Sequence, residues 1–397
     1  MSLPNVNITL ANGALGGVVQ TADGVMGLVL TGASNGSIVA GTPFLVTSLS
    51  NAVTQGLDST TNPFAYKHIK EFYDEAGDGA QLYCMFVPST MKVSAIADKA
   101  NAGGAIKLLN FAAGQIKVLG IVTDDTQVYP SGTGLVQTHG INDDVYSAAS
   151  NALANMQDLA TQFFNQETPF RAIIGGTSYN GTATSLLDMT QKSDNRVAIL
   201  IGDTVSGNGA AVGLTLGRLS VIPVQRKISR VKTGPLTNTT AYIATTSADR
   251  YTDTAVLHDK GFISFRSFPN KSGFYFTGDA TCTATTDDFD TIARGRVIDK
   301  AHILTYATYV NEVDNEVPVN SDGTLNAGYC KYLEQQIINQ INLTMTANNE
   351  VSGVDCFVDP AQNVLATNTV NVVLKITPVG YSSQINVTLG FSNPANG

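Results

Sequence analysis

Val370-Asn371-Val372-Val373-Leu374-Lys375-Ile376-Thr377 and, after the turn Pro378-Val379-Gly380, Ile385-Asn386-Val387-Thr388-Leu389-Gly390-Phe391 decide how the chain is read. In both runs apolar residues alternate with polar ones or glycine, Val373 being the one apolar exception. A period of two sends side chains to opposite faces, so each run reads as a half-buried strand. Together they read as a hairpin with a connection of roughly seven residues. The start of the chain has the same signature: Val6, Ile8 and Leu10 alternate with Asn5, Asn7 and Thr9. Such strands pair their edges or leave them open, and extended segments at both termini suggest pairing with each other or with neighbouring copies.

At 397 residues the chain exceeds a usual single domain, and two or three domains are expected. A hydrophobic content of 43% supports a sizeable core. Charged residues are 14%, against roughly 25% in average domains, so Thr, Asn, Ser, Gln and Gly must make the polar surface. That suits a surface covered in an assembly, or a secreted β-rich protein. The net charge of −9 and the lack of any basic residue before Lys67 argue against nucleic acid as the main partner. The first residues lack the charged and apolar regions of a secretory leader. No apolar run approaches the roughly 18 residues that span a bilayer, so membrane insertion is not expected. Cys84, Cys282, Cys330 and Cys356 lack metal-ligand spacing and read as free buried thiols made in a reducing cytoplasm.

In chain order, residues 1–24 read as an extended arm, a strand followed by the glycine-rich Asn12–Gly17. Residues 25–255 read as an α/β domain. A helix opens at Asn62-Pro63 and stops at Gly77. Helical stretches over 96–111 and 143–165 then alternate with strands at 81–87, 116–122, 170–174 and 197–201, the pattern of a largely parallel sheet covered on both faces. Residues 256–368 read as α+β. They hold an aromatic segment around Phe262–Phe276 and a helix begun by Asp287 and Asp288 that carries Phe289, Ile292, Ala293, Val297, Ala301 and Leu304. A second helix is expected over 326–346. Residues 369–397 form the terminal hairpin, against which the apolar side of the 287–304 helix is expected to pack. The fold class is thus α/β plus α+β, with extended terminal arms.

Motifs for chemistry are weak. Gly207-Asn208-Gly209-Ala210-Ala211-Val212-Gly213 follows a strand and opens a helix, the setting of a dinucleotide-binding turn. Its spacing is one residue off, and it comes late in the domain. An α/β nucleotide-binding enzyme using this turn is the alternative reading. Gly32-Ala33-Ser34-Asn35-Gly36 matches a nucleophile-elbow string but lacks the helix that must come after it. Asp124, Asp125 and Asp203 lie just past strand ends, where paired acids hold divalent cations but also serve as ordinary turn residues. His68, His139, His258 and His302 have no metal-binding spacing. Arg226, Lys227, Arg230 and Lys232 form the densest basic cluster, suited to an acidic protein surface or to a solvated edge. No catalytic, metal or cofactor site is expected.

Several segments in order along the chain resemble the sheath subunits of contractile phage tails and related injection machines. Leu3-Pro4-Asn5-Val6 resembles the family's N-terminal arm, and Ala211–Leu219 its small-residue helix. Asn270–Gly278 resembles its glycine–aromatic strand, without the tryptophan often found there. Arg294-Gly295-Arg296-Val297-Ile298-Asp299-Lys300-Ala301 resembles the arginine-containing helix, and Ile385–Phe391 the terminal strand. The resemblance implies a structural subunit, not an enzyme, that polymerises as hexameric rings stacked around an inner tail tube and contracts. Baseplate and tail terminator proteins are the further partners it implies. The setting would be a virion tail assembled in the bacterial cytoplasm. The 25–255 domain would face outward and the 256–368 region would lie next to the tube. Val6, Ile8, Leu10, Val370, Val372, Leu374, Ile385, Val387 and Leu389 are then the subunit-interface candidates. Arg294, Arg296 and Lys300 are the tube-facing ones, with intradomain salt bridges as the competing role.

Overall fold

Met26–Thr31 (β1) is buried along its whole length, as a strand covered on both faces must be. It lies inside a six-stranded sheet with Phe44–Val46 (β2), Leu82–Val87 (β3), Val118–Val122 (β4), Arg171–Gly175 (β5) and Val197–Leu200 (β6), in the order β2-β3-β1-β4-β5-β6. All neighbours are parallel except β2, which runs antiparallel to β3 at one edge. Met26 sits opposite Leu82 on one side and Val118 on the other. The structure, a computed structural model, describes residues 22–124 and 136–391. The expected arm strand with Val6, Ile8 and Leu10, and Asp125, lie outside the described residues.

The longer helices packed on this sheet include Pro63–Ala76 (α1), Ala152–Phe164 (α2) and Val212–Val221 (α3). Proline in the first turn and Gly77 at φ +78° bound α1, as its sequence signals required. α1 and α3 pack backbone to backbone. A Cβ on Gly213 would strike the His68 carbonyl, and one on Gly217 would lie 2.6 Å from the Phe72 oxygen. The two long helices expected over 96–111 and 143–165 are each broken. Helices Val93–Ala97 and Ala105–Phe111 flank the Asn101–Gly104 turn. Asn151 starts α2 afresh by accepting from the Ala154 N–H at 3.0 Å. In both breaks an Asn side chain serves local backbone groups instead of continuing a helix.

The compact units are Met1–Asn311 and Glu312–Gly397. The division expected at 255/256 therefore falls inside the first unit. Ile263 explains why: its N–H and C=O bond Ile199 and Ile201 at 3.0 and 2.8 Å, extending the sheet beyond β6. Phe262, Phe265 and Phe276 join the same core. Ile292–Tyr309 (α4) also belongs to this unit and packs against β5. It starts later than Asp287, because the Thr291 hydroxyl caps it.

Arg171, at the start of β5, keys α4 into place. It reaches Asp299 through Nε at 2.7 Å and Nη2 at 2.9 Å, and Arg196 adds a third bond at 3.2 Å. Gly295 is what lets the helix come this close, since a Cβ there would lie 2.6 Å from the Arg171 guanidinium carbon. Arg171 is 1% exposed, so each of these charges depends on its partners.

The second unit contains Ala327–Ile341 (α5), Val351–Phe357 (β7) and Val373–Pro378 (β8). Cys330, Leu333, Ile337 and Ile341 form the buried side of α5, which packs on β7. The Glu334 carboxylate accepts from the Val358 N–H at 3.0 Å and ties helix to strand.

Candidate interaction surfaces

The terminal hairpin is not the expected one. β8 pairs antiparallel with β7, Val354 facing Ile376 and Cys356 facing Leu374, with a bulge near Gly353. Residues 379–391 form no strand. The regular alternation of 385–391 makes it the natural partner for 370–376 on sequence grounds. The true partner, Val351-Ser352-Gly353-Val354-Asp355-Cys356-Phe357, interrupts its alternation with glycine and aspartate and leaves little trace. Alternation itself survives through β8 and the residues leading into it: Val370, Val372, Leu374 and Ile376 are half-buried, while Val373 is 49% exposed. In the last run Ile385, Val387, Leu389 and Phe391 are 79%, 79%, 94% and 109% exposed. An amphipathic strand sequence thus stands without a strand partner among the described residues. Among the described residues the sheet of this unit has two strands and two open edges, fewer strands than independent sheets usually need.

The three basic candidates on α4 are engaged within the first unit. Arg294 Nη1 reaches Asp290, four residues earlier, at 2.9 Å. Lys300 Nζ reaches the Asp23 carboxylate at 2.7 Å. Arg296 is 3% exposed and donates from Nη2 to the Asp23 carbonyl at 3.0 Å. Arg296 is therefore a buried residue in this unit and not an exposed one. What sequence reading missed was Asp23, whose main chain and side chain are both clamped where residues 1–21 join the body. The Asp290/Arg294 spacing was a readable signal, since an acid just before the Thr291 cap lies within reach of the first turn of α4.

The ligand crevice of an open α/β sheet lies beyond the strand ends where chain direction switches, here between β1 and β4. Its residues serve the fold. The Asp124 N–H donates to Thr31 Oγ1 at 3.3 Å. Ser34 accepts from the Ala40 N–H at 2.9 Å, inside a turn closed by paired Asn35–Ile38 backbone bonds. No helix directly succeeds this turn. At the Gly207–Gly213 turn, Gly209 lies directly over the Asp203 carboxylate, which also takes Lys67 and the Thr204 N–H. A carboxylate under the loop repels a phosphate, and Gly213 serves helix packing.

Beside Asp203, Thr204 donates to the buried Glu71 carboxyl, and Lys67 lies 3.4 Å from it. Burial pushes Glu71 up to about 7, against the pull of Lys67 and with a further push from Asp203. Among the described residues no group of three or more His, Cys, Asp or Glu is placed to hold a metal ion. No described helix is long and apolar enough to cross a membrane. All four cysteines are free and buried.

The model of the DUF2586 N-terminal domain matches residues 3–280 and that of the DUF2586 C-terminal domain residues 288–396. No curated protein matches the sequence. Among solved structures, the helical sheath of the anti-feeding prophage in its contracted state superposes with a TM-score of 0.62 at 14% identity, over 99% of this chain and 100% of that one. The contracted sheath complex of the PVC extracellular contractile injection system gives 0.61 at 12% identity, over 99% and 98%. A chain of the anti-feeding prophage baseplate gives 0.61 at 14% identity, over 99% and 100%. At such identities the likeness is one of fold, and it runs the whole length of the chain.

Proposed function

We propose that this chain, which belongs to the DUF2586 family, is the structural subunit of a contractile sheath: it polymerises around an inner tube and shortens to drive that tube into a target envelope. The observation that carries the reading is a sheath fold matched from end to end in a chain whose last amphipathic run follows a two-stranded sheet and is exposed. Main-chain ladder bonds from a donated strand give affinity without special side chains. Head-to-tail contacts of that kind, when their rotation does not close, build a helical tube. Residues 1–21 and 379–397 are the two candidate donors, with Val6, Ile8 and Leu10 in one and Ile385, Val387 and Leu389 in the other. The 25–255 region would face outward. Tube, baseplate and terminator proteins would be the partners, and a virion tail or related injection machine assembled in the cytoplasm the setting.

Electron microscopy of the purified protein tests the proposal. Tubes or stacked rings are expected. Deleting residues 2–22 should leave the melt unchanged and abolish tubes. Unaltered tubes from that deletion would reduce the arm to a passive tail, and a monodisperse monomer from the full chain under all assembly conditions would refute the sheath reading.

A further inference from the structure

Charge is distributed unevenly along this acidic chain. No carboxylate occurs between Asp203 and Asp249, or between Asp259 and Asp279. The structure brings these two acid-free segments together. The Leu236 N–H bonds the Phe274 carbonyl at 2.9 Å, and Gly273 lies against Pro235 so closely that a Cβ would come within 2.5 Å of its ring. Arg218, paired with Glu75 at 2.5 Å, donates to the Pro235 carbonyl at 2.6 Å and holds the two segments to α3. Arg230, Lys232, Arg266 and Lys271 are exposed on the two segments, and Arg226 is half-buried on the first of them. Burial and the charge of Arg230 both press the Arg226 pKa down, which reports like charges held side by side. Lys227 beside them faces an acid, Asp279 at 3.5 Å.

The opposite imbalance lies in the second unit. Residues 312–397 carry eight carboxylates and two lysines, and no Lys or Arg occurs between Lys300 and Lys331. Asp314, Glu316 and Asp322 are exposed in that interval. Glu312, at its start, accepts from the Tyr329 and Tyr332 hydroxyls at 3.1 and 3.0 Å, which fixes the beginning of the acidic segment to α5. Clustered charges of one sign cost repulsion within a fold, and complementary patches speed and orient association.

We infer that the basic face formed by Arg226, Arg230, Lys232, Arg266 and Lys271 docks onto the acidic 312–322 segment of a second copy of this chain. The inference rests on the self-assembly reading and adds to it a contact made by side chains, apart from any donated strand. One sign sits on each of two different surfaces, so the contact is heterologous: it builds a ring where its rotation closes and a filament where it does not.

The test uses two variants of the full chain. Arg230→Glu with Lys271→Glu takes the basic face from five positive charges to a net of one. Asp314→Asn with Glu316→Lys changes the acidic segment, asparagine keeping the left-handed backbone at φ +58° that Asp314 adopts. Unchanged melts establish that both variants fold. Sedimentation of the parent at low salt should reveal association that weakens about tenfold or more as salt is raised to ~1 M. Each variant alone should associate about tenfold more weakly than the parent at low salt. An equimolar mixture should form dimers and stop there, since only one complementary pair of surfaces remains. Salt-independent parent association, or none at all, overturns the inference. So does a basic-face effect without an acidic-segment effect, which would place the partner of the face on a different acidic surface of this chain. Microscopy of the same parent sample reads the sheath proposal separately: tubes without charge dependence sink only the docking contact, and charge-dependent oligomers without tubes sink only the sheath.

Discussion

The two compact units solve the same problem, covering a sheet, in opposite ways. In the first, β1 is buried end to end between parallel neighbours and under helices, and most large apolar side chains find a partner. In the second, one helix covers two strands, and Phe357, Leu365, Val373 and the 385–391 run remain exposed. A closed core makes a monomeric body. An unfinished sheet suits the proposed subunit, in which the missing strands come from neighbouring copies.

Four experiments break or sharpen that contrast. The largest effect is expected from deleting residues 379–397. Assembly should be lost while the melt of the first unit is unchanged; a collapse of both would mean the segment stabilises its own chain. Next, Asp299→Ala should strand Arg171 and Arg196 without their shared acid and cost about 3–5 kcal/mol, the usual result of breaking a buried pair. Urea unfolding reads this, and a loss under about 1 kcal/mol, the scale of an exposed pair, would show that the closed core does not depend on the α4 key. Gly213→Ala should cost about 1–3 kcal/mol through overpacking of α1 on α3, again by urea unfolding. A neutral result would mean the helices separate freely.

The smallest effect concerns Glu71. Its folded carboxyl titrates at about 7, above its ordinary value of 4.5. The folded state therefore keeps a proton that the unfolded state releases, and stability falls as pH rises from about 4.5 to about 7, then levels off. Glu71→Gln removes that loss. Relative to the parent, the variant should gain stability across this window and no further above it. A pH-independent difference between the two melts would refute the assignment.

How much of the fold was legible in the sequence depended on the reach of each signal. Parallel strands buried on both faces announced themselves as apolar runs, and Asn62-Pro63 and Gly77 bounded α1 because caps are local chemistry. The 351–357 strand was hidden by its glycine and aspartate, so alternation pointed β8 to the wrong neighbour. The 255/256 boundary failed because aromatic residues and Pro269 signal a change of texture, and only the long-range Ile263 bonds reveal that the segment extends the first sheet. Arg294 advertised its partner four residues away. Arg296 and Lys300 could not, since Asp23 lies 273 and 277 residues earlier in the chain. Residue type named the surface candidates on α4, and only tertiary contact could remove Arg296 from them.

The four buried cysteines carry a practical corollary. Burial pushes the Cys84 and Cys282 thiols above their ordinary value, away from the reactive thiolate. A chain built this way passes from reducing to oxidising surroundings without altering its covalent structure. It also leaves no thiol at the surface, so a cysteine placed at Leu389 would be the one readily labelled thiol, and crosslinking from it would trap whichever chain the 385–391 run reaches.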